Sequence, residues 1–431
     1  MRWVPVLILA GALSWAAPAD AQITGYASLM WDMFPDVSAA GGAPRVGELR
    51  ARVVAERKDA LGEHVRIVLS GAVDGLVGRR PTADGRSGVE RDAIVQPLEL
   101  HTEAAWSRVD VRVGMSRIVW GRLDEFQPTD VVNPIDLSRF LLEGRSEARL
   151  PVGVVRGRVF LPKSSTLELV LVPVFRSSRF DQLDEETSPF DLRPAGVSRR
   201  REGPERGPGS MQGGARLTTT TGRVDWGVSA YRGLRAFPIS TLGVVGPAAT
   251  STSAPVVTET FPRFTMLGGD FETVRGTWGV RGEVAAFVDD ELQSVRGARG
   301  VPGRSVEGGV GLDRRAGDYR VAANVLWRWA GVDTASPVGR AFDGDPDVEG
   351  GDLTLVVAAD RSFARQTRTL RVFSAYDPGD GTVFSRVVGA VSLADNVWVE
   401  GSAGLFAGSA PDTLGRLTDR DFVYTRLKVS F

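Results

Sequence analysis

The densest chemistry in the chain lies in one segment, VWGRLDEFQPTDVVNPIDLSRFLLEG at 119–144, which carries Asp124, Glu125, Asp130 and Asp136 in a short run. Arg50, Arg52 and Arg66 lie upstream, on one face of two alternating stretches. Acidic and basic groups opposed across a narrow wet passage orient polar solutes without holding them fast. The spacing also predicts a helix in this segment. Asn133 can cap the free amides and Pro134 suits a first turn. Ile135, Phe140, Leu141 and Leu142 then share a face, and Gly144 ends the helix.

Other chemistries lack their residues. The chain has no Cys and two His, which removes thiolate zinc sites, cysteine nucleophiles and multi-histidine metal sites. No GxSxG, phosphate-binding or dinucleotide-binding fingerprint occurs, and neither a cofactor nor a catalytic residue is expected. The run DGDPDVEGGD at 343–352 has carboxylates enough for Ca²⁺, but it lacks Gly at the sixth loop position, and Thr354 stands where an EF-hand needs Glu. It reads as a solvated loop. His101, between Glu99 and Glu103, reads as a lone titrating side chain among other charges.

The 431 residues carry 52 Lys+Arg and 53 Asp+Glu, for a net charge of −1. That balance gives no drive toward nucleic acid. Residues 1–21 read as a secretory signal, with Arg2, an apolar run from Trp3 to Ala17, and Ala19-Asp20-Ala21 before Gln22. No later run is apolar enough to be a spanning helix.

From residue 22 onward the dominant period is two. In the last stretch Val423, Thr425, Leu427, Val429 and Phe431 alternate with Tyr424, Arg426, Lys428 and Ser430. Val109, Val111, Val113 and Met115 alternate likewise with Asp110 and Arg112. Strand side chains point to opposite faces in turn, so each stretch has one apolar side and one charged side. The pattern gives about eighteen strands, with sixteen as the alternative, and their joins alternate between tight turns and long loops. The tight turns include 59–63, 162–165 and 221–222; the long loops include 34–46, 75–92, 118–151, 176–209, 234–261 and 288–303. A soluble sandwich alternates too, but tight turns on one rim and long loops on the other belong to an outer-membrane barrel. A bilayer offers no partner for a strand edge, so such a sheet must close. Trp106, Trp226, Trp278 and Phe431 fall at the tight-turn ends, and Trp327, Trp329 and Phe175 at the opposite ends, as two interfacial belts require.

The stretch at 119–144 resembles a motif, roughly WG-x-x-D followed by D-V-x-N-P-x-D-L, of a poorly characterised family of bacterial outer-membrane barrels similar in layout to alginate-export-type proteins. Its matching residues here are Trp120, Gly121, Asp124, Asp130, Asn133, Pro134 and Asp136. LELVLVPVF at 167–175 and FPRFTMLGGDFETVRGTWGVRGEVAAF at 261–287 look like further blocks of such proteins.

The expectation is a single all-β barrel over 22–431 in the outer membrane of a Gram-negative-type bacterium, passing small polar solutes through a lumen lined by Arg and carboxylates. The segment 118–151 is expected to fold inward as a constriction, with Arg50, Arg52, Arg66, Arg112, Asp124, Glu125, Asp130, Asp136 and Glu283 along the passage. Two other classes stay open: an export or scaffold component with periplasmic partners, and a barrel enzyme, which would need a nucleophile or acid pair near a rim histidine. Outer-membrane lipid and the barrel assembly machinery, through the terminal Phe431, are the expected partners. A homo-oligomer stays open, as does anion or cation preference.

Overall fold

The computed structural model describes residues 23–35, 47–81, 87–180, 188–190, 197–205, 207–245, 254–294, 298–408 and 415–431. The expected signal segment 1–21 lies outside them. In chain order the strands are β1 (Ile23–Met33), β2 (Glu48–Leu61), β3 (Val65–Pro81), β4 (Ser87–Ala105), β5 (Val109–Ser116), β6 (Val152–Leu161), β7 (Ser165–Val172), β8 (Ser198–Glu202), β9 (Gln212–Thr221), β10 (Val224–Leu234) and β11 (Ile239–Val245). They continue with β12 (Ala254–Thr260), β13 (Arg263–Arg275), β14 (Trp278–Ser294), β15 (Arg299–Ala316), β16 (Tyr319–Val332), β17 (Gly350–Phe363), β18 (Arg368–Asp377), β19 (Thr382–Ala394), β20 (Val397–Ala407) and β21 (Phe422–Ser430). Eighteen of these form one antiparallel sheet. It closes where β1 meets β21, from Tyr26↔Ser430 to Met33↔Val423. β8, β11 and β12 make a separate three-stranded sheet.

Each barrel strand predicted from the alternation is present. In two of the expected long loops, 75–92 and 288–303, nearly all the described residues are instead strand. β3 and β4 continue their pairing to Pro81↔Ser87, and β14 and β15 to Ser294↔Arg299. Above the bilayer the outward face no longer meets lipid, so Asp289, Glu291 and Gln293 stand there while Leu292 and Val301 are buried on the other side, and the apolar-out pattern that marks the membrane part is lost. The segments 176–209 and 234–261 are likewise not loop throughout, since β8, β11 and β12 lie in them.

The exterior is apolar. Leu29, Val113, Leu169, Val310, Val325, Leu355 and Leu427 are all exposed, and their charged neighbours face inward. Trp106, Trp278 and Phe431 lie exposed at the tight-turn rim, and Trp31, Trp327 and Trp329 toward the other. Phe175 is not in the outer belt: β7 ends at Val172, and the Phe175 ring packs 5.0 Å from that of Phe261. A bulge in β4, opposite Ser70/Gly71, shifts the alternation, so that Gln96 above it and His101 below it are both buried on the inner side.

Inward charges neutralise one another across the ladder. Arg66, Glu103, Arg112 and Arg156 stand in register on β3 to β6. Glu103 takes Arg156 at 3.3 Å and Arg112 at 3.4 Å. Asp110 takes Arg158 at 2.5 Å. Such cross-strand pairs stiffen the wall.

Candidate functional site: a segment folded across the lumen

After β5 the chain turns inside the barrel and returns to the wall only at β6. Apolar packing inside the ring anchors it. Ile118, Trp120 and Val132 are buried against Val152, Val154, Val170, Tyr231, Phe264 and Met266 of the wall. Leu141 and Leu142 are buried against Met30, Phe384, Phe406, Phe422 and Tyr424 on the other side. The lumen is therefore not the wholly polar space the alternation implied. It is apolar where it grips this segment.

Polar ties reach opposite walls. Trp120, with no exposed surface, donates its indole N–H to Glu168 at 2.7 Å and meets Tyr231 edge to face. The Glu283 carboxylate of β14 accepts from the backbone amides of Arg122 and Leu123 and, at 3.0 Å, from the Thr129 hydroxyl. The Arg122 guanidinium binds Asp270 at 2.6 Å and Glu272 at 3.1 Å. Asp124 bridges Arg281 at 2.7 Å and Arg320 at 3.0 Å. Across the barrel, Arg139 binds Asp74 of β3 at 2.9 Å, and Glu143 binds Arg426 of β21 at 2.5 Å.

The motif residues each have a place in this fold. Gly121 takes φ +92°, and a Cβ there would lie 2.6 Å from a Glu283 oxygen. Asn133 ties the two legs of the segment together: its carbonyl accepts from the Ile118 amide at 2.6 Å, and its amide donates to the Leu150 carbonyl at 2.7 Å. Its side chain is thus not the helix cap expected of it. The helix α1 (Leu137–Glu143) begins three residues later, capped by Asp136, whose carboxylate accepts from the Arg139 amide at 3.1 Å. Pro134 gives its carbonyl to the Leu150 amide. Gly144, at φ +98°, ends α1 as expected, and a single turn, α2 (Arg145–Ala148), follows. Asp130 takes Arg149 at 2.8 Å and Arg145 at 3.1 Å, both from this turn and its end.

The expected opposition of segment carboxylates to Arg50, Arg52 and Arg66 is not the arrangement found. Arg50 binds Asp32 and Glu48 on its own wall. Arg52 lies 3.4 Å from Asp74, the acid that also holds Arg139. Arg66 is exposed near the tight-turn rim, and Glu125 contributes its carbonyl to Arg145. Arg112 and Glu283 lie on the inner face as expected, Arg112 paired with Glu103. Sequence reasoning missed Asp74, Asp270 and Glu272 as anchors, although each is an acid at an inward position of an alternating strand.

A second segment supports the first. The Arg179 amide donates to the Ile135 carbonyl at 3.1 Å, and the Leu137 and Ser138 amides donate to the Arg179 and Phe180 carbonyls. Nearby, Arg176 donates to the Pro151 carbonyl at 2.6 Å, and burial, with Arg179 adding to it, pushes its guanidinium down to about 10. Cavities border the folded segment. One of about 710 Å³ lies beside Gln127–Leu137 and Arg145, and one of about 270 Å³ lies beside Glu147–Pro151 and β1 to β4.

A closed eighteen-stranded barrel with an apolar outside and an inward-folded segment is an outer-membrane barrel of porin type, the kind found in Gram-negative bacteria. A family described as a protein of unknown function, DUF1302, matches residues 99–301, which include the segment and its β13–β14 anchor. No curated protein matches the sequence. Among solved structures the chain is similar to OccAB1 of Acinetobacter baumannii, at 9% identity over 96% of each chain with a TM-score of 0.53. It is similar also to OccK7 (OpdD) of Pseudomonas aeruginosa, at 12% identity over 96% of this chain and 99% of that one, with a TM-score of 0.51. OpdK of Pseudomonas aeruginosa, solved with vanillate, matches at 12% identity over 96% and 98%, with a TM-score of 0.51. At these identities the likeness concerns the fold.

Proposed function

We propose that this chain is an outer-membrane channel that passes small polar solutes through a lumen lined by arginines and carboxylates, with 118–151 as its constriction. One observation carries the reading: the segment is bonded to opposite walls, with cavities bordering it. A barrel this wide is not filled by its own side chains, so whatever stands across it governs passage. Charges along the way are paired rather than massed, which suits orientation of polar solutes over tight capture. A solute moving between the cavities passes the cluster of Asp130, Arg145 and Arg149.

Planar-bilayer recording of the purified protein tests this. The channel reading predicts discrete current steps without added partners. Silence in the bilayer, together with periplasmic proteins that copurify, would instead support the export or scaffold reading.

A further inference from the structure

The larger cavity has a chemical character of its own, and its interpretation as a stop on a solute's path rests on the channel reading. Two ring pairs face it, Phe180–Phe237 at 6.0 Å between centroids and Phe264–Phe287 at 5.6 Å. Leu234, Val257 and Leu292 add aliphatic surface. Arginines also line it, but they are occupied. Arg235 chelates Asp290 through two nitrogens and stacks over Phe264 and Phe287. Arg145 is held by Asp130, and Arg328 by Glu307 and Asp352 at 3.6 Å each. Arg416 is not free either. Among the acids, Glu259 is matched by Arg199 and Arg201.

We infer that this cavity is a binding site for uncharged ring compounds bearing a hydroxyl group. A ring of phenol size finds the half-buried rings of Phe180 and Phe237 beside aliphatic surface, and pockets of this volume commonly enclose such ligands. Its hydroxyl can donate to Glu291, a carboxylate that lines the same cavity. Among the described residues that line the cavity, a carboxylate ligand finds no uncommitted cation: it must strip an existing pair or sit beside Glu291, and either course is costly. The site thus discriminates by charge against ligands of otherwise equal shape.

Calorimetry on the detergent-solubilised protein, with 4-hydroxybenzyl alcohol and 4-hydroxybenzoate as a matched pair, tests the site without requiring ion flow. The alcohol should bind at least about tenfold more tightly than the benzoate. Phe237→Ala, on a half-buried ring, should weaken the alcohol about tenfold while the barrel stays folded by heat-modifiable gel mobility. Equal or tighter binding of the benzoate, or an alcohol affinity untouched by Phe237→Ala, would overturn the inference. Absence of current with the alcohol preference intact would count against the channel and not against the site.

Discussion

Gly121 and Glu283 touch: the glycine backbone, at φ +92°, runs so close to the carboxylate that a methyl group would lie 2.6 Å from one of its oxygens. The contact joins the first turn of the inward segment to mid-height of β14, and the neighbouring amides of Arg122 and Leu123 complete it. A non-glycine residue at this position faces both the left-handed backbone, which costs about 1–2 kcal/mol, and the clash. Gly121→Val should therefore free the segment at this end while leaving the barrel closed. Single-channel traces should show larger and noisier steps. A trace like that of the unaltered protein, from protein with normal heat-modifiable mobility, would rule out the pin.

Asp124 holds two wall arginines, Arg281 and Arg320, toward one side of the passage. Asp124→Asn leaves both cations with less compensation, although Asp313 and Glu272 still lie near Arg281. The reversal potential in a salt gradient should move toward anion preference. An unmoved potential would place Asp124 away from the ion path.

Arg50 works in the other sense. It answers Asp32 and Glu48, so Arg50→Glu sets three acids together on the inner wall of β1 and β2. Cation preference should rise, and more strongly at low ionic strength, where the Debye length is long. The comparison of reversal potentials at two salt concentrations decides it.

Much of the fold was legible because strand geometry writes itself into sequence. Val423, Leu427 and their partners could alternate as they do only on a two-faced sheet, and the tight turns marked one rim. The projecting parts of β3, β4, β14 and β15 left no such trace, since neither of their faces meets lipid. Within the site, the acids of 118–151 and Gly144 were readable, whereas their partners were not. Asp136 rather than Asn133 caps α1 because Asn133 is spent bridging Ile118 to Leu150, residues far apart in sequence. Asp74 and Asp270 looked like any other inward acids until the segment was laid across them.

Phe431 ends the chain at the tight-turn rim, its backbone bonded to Gly25 and its ring exposed. We propose this exposed rim residue as a contact for the assembly machinery, so it should matter to insertion and little to the finished barrel. Phe431→Ala should lower the yield of folded protein in membranes, yet leave conductance per channel unchanged. Normal insertion would remove that role.

In the proposed function, 118–151 stands across the barrel and narrows it. Single-channel conductance of the unaltered protein, beside a variant carrying Asp124→Asn, Arg139→Gln and Glu143→Gln that removes ion pairs to both walls, decides this. The account predicts small discrete steps from the first and severalfold larger ones from the second, both with folded mobility on gels. Equal conductance from the two, with both folded, would contradict it.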